Sequence, residues 1–450
     1  MRYLFSFLYL GAVLAVAQVA TAEPSLTFGS YGRVGVSTDD ELAKPLSRQV
    51  TSVGPRINQD NYLELDLGAK LFDGPDGRVR MVTTTAFGGR LPHESGEFDT
   101  TMAIRQAFIE VEDLLGTHGY IWLGSRMSRG DDIYLLDHWP MDDLNIVALG
   151  GGYRGTSLNW SAALGLNRPL REDHDQRMPA PAPQFGAVDV TTLNRQRLVS
   201  SVQGEKQWTP KGGLGVKVKI YSELHYLPSA RRKTEDGLAE DPLPDDRGYL
   251  VGAQLGLWNF ARNGHLNFWL RYANGLAAFD ELSPTTGVNR ERRSDGADEV
   301  RAAVSGNWEN SRIGFMYGGF YRFFQDADAN ASDFDDRHEW VGIARMLGYF
   351  GAFTPGIEGS IQVLRPNGLN PRNDTQEVAT VSQIALIPAL TFGKQPGNYT
   401  RPQLQGIAAF SRSNSAAMNL FADDDPRSEE ADAWYFGLRA EWWFGRNGGY

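Results

Sequence analysis

The chain has 450 residues, no cysteine and a formal net charge of −11. Lack of cysteine excludes a disulfide framework, and the acidic balance argues against nucleic acid as a partner. Aromatics at 11% and 50 glycines suit a protein of many strands joined by tight turns.

The first residues combine a basic Arg2, an apolar run and an Ala20-Thr21-Ala22 ending. This is the pattern of a secretory signal peptide spanning 1–22, which leaves 23–450 as a single domain. No later run is apolar for long enough to form a membrane helix. A transmembrane barrel gives the same result, because its strands are apolar only at alternate positions.

Period-two runs give eighteen candidate strands, from 26–37 through 61–72, 102–113, 376–392 and 400–412 to 432–444. Their connections alternate between long, such as 37–61, 167–194 and 413–431, and short, such as 73–77, 209–213 and 309–312. A sandwich or propeller has no reason to gather its long connections at one end. An outer-membrane barrel does, with tight turns on the periplasmic rim and extended loops outside. In 434–444, Trp434, Phe436, Leu438, Ala440, Trp442 and Phe444 share one face, and Arg439 and Glu441 share the other. Leu63, Leu65 and Leu67 likewise oppose Tyr62, Glu64 and Asp66. A soluble core would not hold such charges, since unpaired buried ions are costly. The expected fold is therefore all-β: a transmembrane antiparallel barrel of eighteen strands with lipid behind and water within.

The stretch Gly124 to Asn145 starts as a strand and continues with five carboxylates and an apolar group of Tyr134, Leu135, Leu136 and Trp139. An exposed loop has little use for that group. The reading is a loop folded inward to constrict a pore; the alternative is a capped loop over a soluble β-core. By parity, Tyr31, Tyr62 and Trp443 face the lumen, on the first, second and last strands, which closure brings side by side. The apolar C–H face of a pyranose can lie on such rings while its hydroxyls meet Arg33, Glu64, Arg105 and Asp132. Girdle aromatics at the bilayer interface are the competing reading of the same rings.

The runs YGRVGV (31–36), NYLELDLG (61–68), AIRQAF (103–108), IWLGSR (121–126), DDIYLLD (131–137), YTRP (399–402) and FGLRAEWWF (436–444), in this order, resemble the maltoporin family of sugar-specific porins. The resemblance implies a trimeric outer-membrane barrel of a Gram-negative bacterium, embedded in outer-membrane lipid, that passes oligosaccharides such as maltodextrins by facilitated passive diffusion. It places an aromatic slide on Tyr31, Tyr62, Tyr399 and Trp443, with Trp139 where the family has a constriction tyrosine. The polar track and constriction fall on Arg33, Glu64, Arg105, Arg126, Asp132 and Asp137. No cofactor, metal or catalytic residue is implied. Gly130 stands where the family has an arginine, and residues near Glu97 and Val251 lack the family's further aromatics.

Two other function classes remain open from the sequence. A general diffusion porin would select by size and charge alone. An outer-membrane barrel enzyme would need a nucleophile and base, and no Ser-His-Asp set or Gly-x-Ser-x-Gly run is recognisable. Asp326-Ala-Asp328 mimics the start of a calcium loop, but Ala331 and Arg337 stand where the turn glycine and the bidentate glutamate belong.

Overall fold

Strands with one apolar and one charged face satisfy both lipid and water only by closing on themselves, because a closed sheet leaves no unpaired edge in the membrane. The computed structural model describes residues 25–445, except 90–99, 168–175, 180–186, 191–195, 211–212, 234–239, 262, 280–284, 286, 329–333 and 371. The expected signal peptide, the residues near Glu97 and the 446–450 tail lie outside the described residues. Eighteen antiparallel strands pair in chain order, from Ser25–Thr38 to Asp432–Phe444. The sixteenth is interrupted at Pro388, giving Ala379–Ile387 and Ala389–Thr391. First and last strands pair and shut the barrel.

The faces sort as the alternation predicts. Leu26, Leu67, Leu270 and Leu438 stand outside at 78, 55, 58 and 67% exposure, whereas Arg33, Glu64, Arg439 and Glu441 are turned inside and buried. Outward aromatics gather near the two rims: Phe28, Trp160, Trp308 and Phe444 at the short-turn end, Tyr249, Trp340 and Trp434 at the long-loop end. Such belts suit the headgroup regions. Val251, on the tenth strand Asp246–Trp258, also faces outward.

Among the described residues three segments enter the lumen, where the sequence suggested one. Residues 130–142, between the strands Gly119–Arg129 and Asp143–Arg154, bury Ile133, Leu135, Leu136 and Met141 almost completely. Each such side chain contributes roughly 1.5–3 kcal/mol when removed from water. Two glycines on the far wall receive them. A Cβ on Gly318 would stand 2.4 Å from Ile133, and one on Gly252 would stand 2.7 Å from Met141.

Residues 39–61, expected as an external loop, also cross the lumen. Their Val50 N–H donates to Gln362 Oε1 at 3.2 Å and their Ser52 N–H to Glu339 Oε2 at 2.8 Å. The connection expected to be tight at 393–399 instead runs from Thr391 to Gln403 and turns inward from the short-turn rim. There Asn398, 1% exposed, donates its N–H to Glu309 Oε2 at 2.8 Å. Outer connections hold two further short hairpins, Gln176–Pro179 with Ala187–Val190 and Ala230–Lys233 with Glu240–Leu243. The helices Ser415–Met418 and Pro426–Glu429 are elements the sequence reading did not include.

Candidate constriction and aromatic path

Register at the seam builds the site. On the first strand Tyr31 lies opposite Glu64 on one side and Trp443 on the other, and Arg33 lies opposite Tyr62 and Glu441. Two transverse rows result, Glu64–Tyr31–Trp443 and Tyr62–Arg33–Glu441, both facing the lumen. Tyr31 and Tyr62 have ring centroids 5.9 Å apart.

Arg105 joins this wall by an irregularity. On its strand, Thr101–Glu112, Gln106 and Phe108 point inward while Met102 and Ile104 are 63% exposed. Counting back from Gln106, alternation would send Arg105 to lipid; counting on from Ile104, it would send it inward. The pairing slips by one residue between Thr84 and Thr85, so that Arg105 is the extra, bulged residue. A bulge re-aims its side chain, and the Arg105 guanidinium donates to the Tyr62 hydroxyl at 2.6 Å and to Glu64 Oε1 at 3.3 Å.

At the centre the inward segments meet the seam. Arg56 of 39–61 donates to Asp137 Oδ1 at 2.7 Å, to Glu441 Oε1 at 2.8 Å and to the Tyr31 hydroxyl. Arg33 reaches Asp137 Oδ2 at 3.2 Å. The Tyr134 hydroxyl donates to Glu441 Oε2 at 2.9 Å, and Arg401 from the inner-rim segment reaches the same oxygen at 2.8 Å. Glu441, 2% exposed, thus accepts from Arg56, Arg401 and Tyr134, which compensates a buried charge that would otherwise be costly. Burial alone would raise the Asp137 pKa, but Arg56 and Arg33 outweigh it and hold the carboxyl below its usual range.

Rings continue through this knot. Arg56 sits 5.5 Å over Tyr31 and 4.5 Å over Tyr134. Tyr134 meets Trp443 at 6.2 Å and Tyr399 at 5.5 Å, and Tyr399 stacks with His265 at 6.1 Å. Trp139 is not among them. The chain reverses at Asp137, whose φ is +51°, so Trp139 returns on the other side of the loop, beneath the Arg129 guanidinium at 4.0 Å. Burying Ile133, Leu135 and Leu136 against the far wall leaves Tyr134 aimed at the seam.

Two cavities flank the 130–142 loop. The outer one, about 350 Å³, is lined by Trp139, Arg105, Arg129, Arg271 and Arg301 among others. The inner one, about 390 Å³, is lined by Asp131, Asp132, Lys217, His265 and Tyr399 among others. Asp132 retains some exposure there, yet burial by its loop pushes its carboxyl up to about 6. Arg126 stands apart from the centre, paired with Glu110 and set 4.8 Å over Phe108. Where Gly130 replaces the family's arginine, a Cβ would stand 2.5 Å from Asp142, whose partner Lys219 projects from the opposite wall and fills that space.

Sequence reasoning missed Arg56 and Arg401, and read Tyr134 only as a loop anchor. Arg401 lies two residues beyond Tyr399, inside the YTRP run, which was a usable signal; nothing local marks Arg56. Among the described residues no group of three or more His, Cys, Asp or Glu is placed to hold a metal ion.

A family model described as LamB porin matches residues 26–444, nearly the whole chain. The chain belongs to the LamB porin family, the maltoporins. It is accordingly a channel protein of the Gram-negative outer membrane. No curated protein matches the sequence. Among solved structures, OccD3 (OpdP) of Pseudomonas aeruginosa is 10% identical, with 95% of this chain and 92% of that chain covered and a TM-score of 0.45. The outer-membrane channel DcaP of Acinetobacter baumannii is 10% identical, covering 94% and 99%, with a TM-score of 0.48. The trimer form of OmpT from Vibrio cholerae is 10% identical, covering 94% and 100%, with a TM-score of 0.44.

Proposed function

We propose that this porin passes oligosaccharides, maltodextrin-like chains among them, by passive diffusion along the ring path from Tyr62 through Tyr31, Tyr134 and Trp443 to Tyr399. The observation that carries the reading is a pair of ring groups in the constriction, Tyr31–Tyr62 at 5.9 Å and Tyr134 with Trp443 at 6.2 Å and Tyr399 at 5.5 Å, joined by the Arg56 guanidinium that lies over both Tyr31 and Tyr134. Rings offer apolar planes to the C–H faces of successive sugars, and Arg33, Glu64, Arg105, Asp132 and Asp137 offer charged partners to the hydroxyls. No bond is made or broken, so the protein supplies only a sequence of weak sites, strong enough to admit a sugar and weak enough to release it.

One observation favours selection by size and charge alone: Tyr31 and Tyr134 are only 8 and 9% exposed beneath arginines. Planar-bilayer conductance titrated with maltohexaose separates the two. A sugar path gives saturable block of the current; conductance indifferent to oligosaccharide would leave the general porin. The working unit is a homotrimer in outer-membrane lipid, for which voltage closure in three equal conductance steps is the expected signature.

A further inference from the structure

The outer cavity has a charge pattern that a neutral sugar does not require. The strands His265–Gly275, Asp298–Glu309 and Ile313–Gln325 are neighbours, and register sets Arg271 directly opposite Arg301 and Arg301 directly opposite Arg322. Like charges placed directly opposite each other across a sheet are destabilising. All three guanidiniums reach one carboxylate, Glu299, at 3.0, 2.8 and 2.6 Å. Arg322 and Arg337 then share Glu339, at 3.7 and 2.8 Å. Glu223 acts on Arg271 and Asp335 on Arg337 as further carboxylates, so four guanidinium forks are held in a row along this wall.

Arginine is in excess among the residues that line the space itself. The residues lining the outer cavity include Arg105, Arg129, Arg271 and Arg301 against Asp143 and Glu223, in a chain whose net charge is −11. Positive charge is thus concentrated against the overall composition. Clefts lined by one sign of charge between low-dielectric walls focus the field and raise the local concentration of the opposite ion. An aromatic plane, Trp139, shares the cavity with these forks. A planar guanidinium matches a carboxylate in a bidentate way, and a ring matches the C–H face of a sugar.

We propose that the outer cavity is a recognition site for acidic saccharides, chains whose sugars carry carboxylate groups, and that this porin takes them in preference to neutral chains of equal length. The proposal rests on the oligosaccharide reading above and narrows its substrate class. The arginine wall acts as a capture site at the mouth, ahead of the ring path.

The test compares a galacturonate hexamer with maltohexaose as blockers of the full-length protein in planar bilayers at pH 7. The expected result is half-block by the acidic hexamer at about tenfold lower concentration, the value of one added charge-assisted contact. Arg301→Gln, which leaves Arg271 and Arg322 on Glu299, collapses the ratio of the two half-block concentrations toward one, and Arg301→Lys restores part of it. Because the readout is a ratio on one channel, a general loss of folding does not mimic it. A second measurement needs no variant: raising KCl from about 0.1 M to about 1 M shortens the screening length from about 10 Å to about 3 Å and erases the acidic preference. Equal block by the two hexamers, or a preference insensitive to both salt and Arg301→Gln, overturns the acidic proposal and leaves the oligosaccharide reading standing. Block by neither hexamer overturns both.

Discussion

The seam wall and the wall facing it are built from the same residue types and do opposite things with them. At the seam, Arg33, Arg56 and Arg401 interleave with Asp137 and Glu441, and four aromatic rings stand among them, so positive and negative groups neutralise each other over a few ångströms. Across the lumen, Arg271, Arg301 and Arg322 stand in one row around Glu299. Alternating charge makes a surface along which a polar ligand is handed on, whereas a single sign makes a field. On the readings proposed above, the two walls divide the work of guiding from the work of attracting.

The contrast can be broken from either side. The largest effect is expected from Glu299→Gln, which takes the shared carboxylate from the buried Arg271 and Arg301 and from the partly exposed Arg322; a loss of about 3 kcal/mol in stability follows. The midpoint of thermal unfolding in detergent, followed by loss of strand signal, measures it, and an unchanged midpoint would mean that water neutralises the row. On the seam wall, Tyr62→Ala removes the ring beside Tyr31 and weakens maltohexaose block by about fivefold. Equal block by variant and parent would remove Tyr62 from the path. Arg56→Ala frees the inward 39–61 segment from Asp137 and Glu441 and should raise single-channel conductance about twofold. No change would show that this segment does not limit the opening. The smallest effect concerns one proton. With its pKa raised to about 6, Asp132 is neutral at lower pH and charged at higher pH, so cation preference in a salt gradient rises as pH passes from 5 to 7. Asp132→Asn flattens that step, and a step that survives the substitution belongs to another group.

The barrel was legible because alternation is a local property: Leu438 outside and Arg439 inside can be told apart from the eleven residues of 434–444. The inward loop was legible because Tyr134, Leu135, Leu136 and Trp139 make a group too apolar for an exposed tip. Other features depend on distant pairings. Arg56 is one arginine in a polar stretch, and its partner Glu441 lies 385 residues away. Arg271, Arg301 and Arg322 look unremarkable on their separate strands and form a row only once register is fixed. Arg105 is ambiguous in the sequence, since the two halves of its strand assign it opposite faces, and a slipped hydrogen-bond ladder brings it to Tyr62.

Because the ring path straddles the join between the first and last strands, it exists only once the barrel has closed. A sheet that has threaded seventeen strands into the bilayer already spans it but has neither Trp443 nor Glu441 to set against Tyr31 and Arg33. Contacts of such long sequence separation form late, so a stalled intermediate would be a leak rather than a filter. The act that seals the sheet is also the one that completes the ring path.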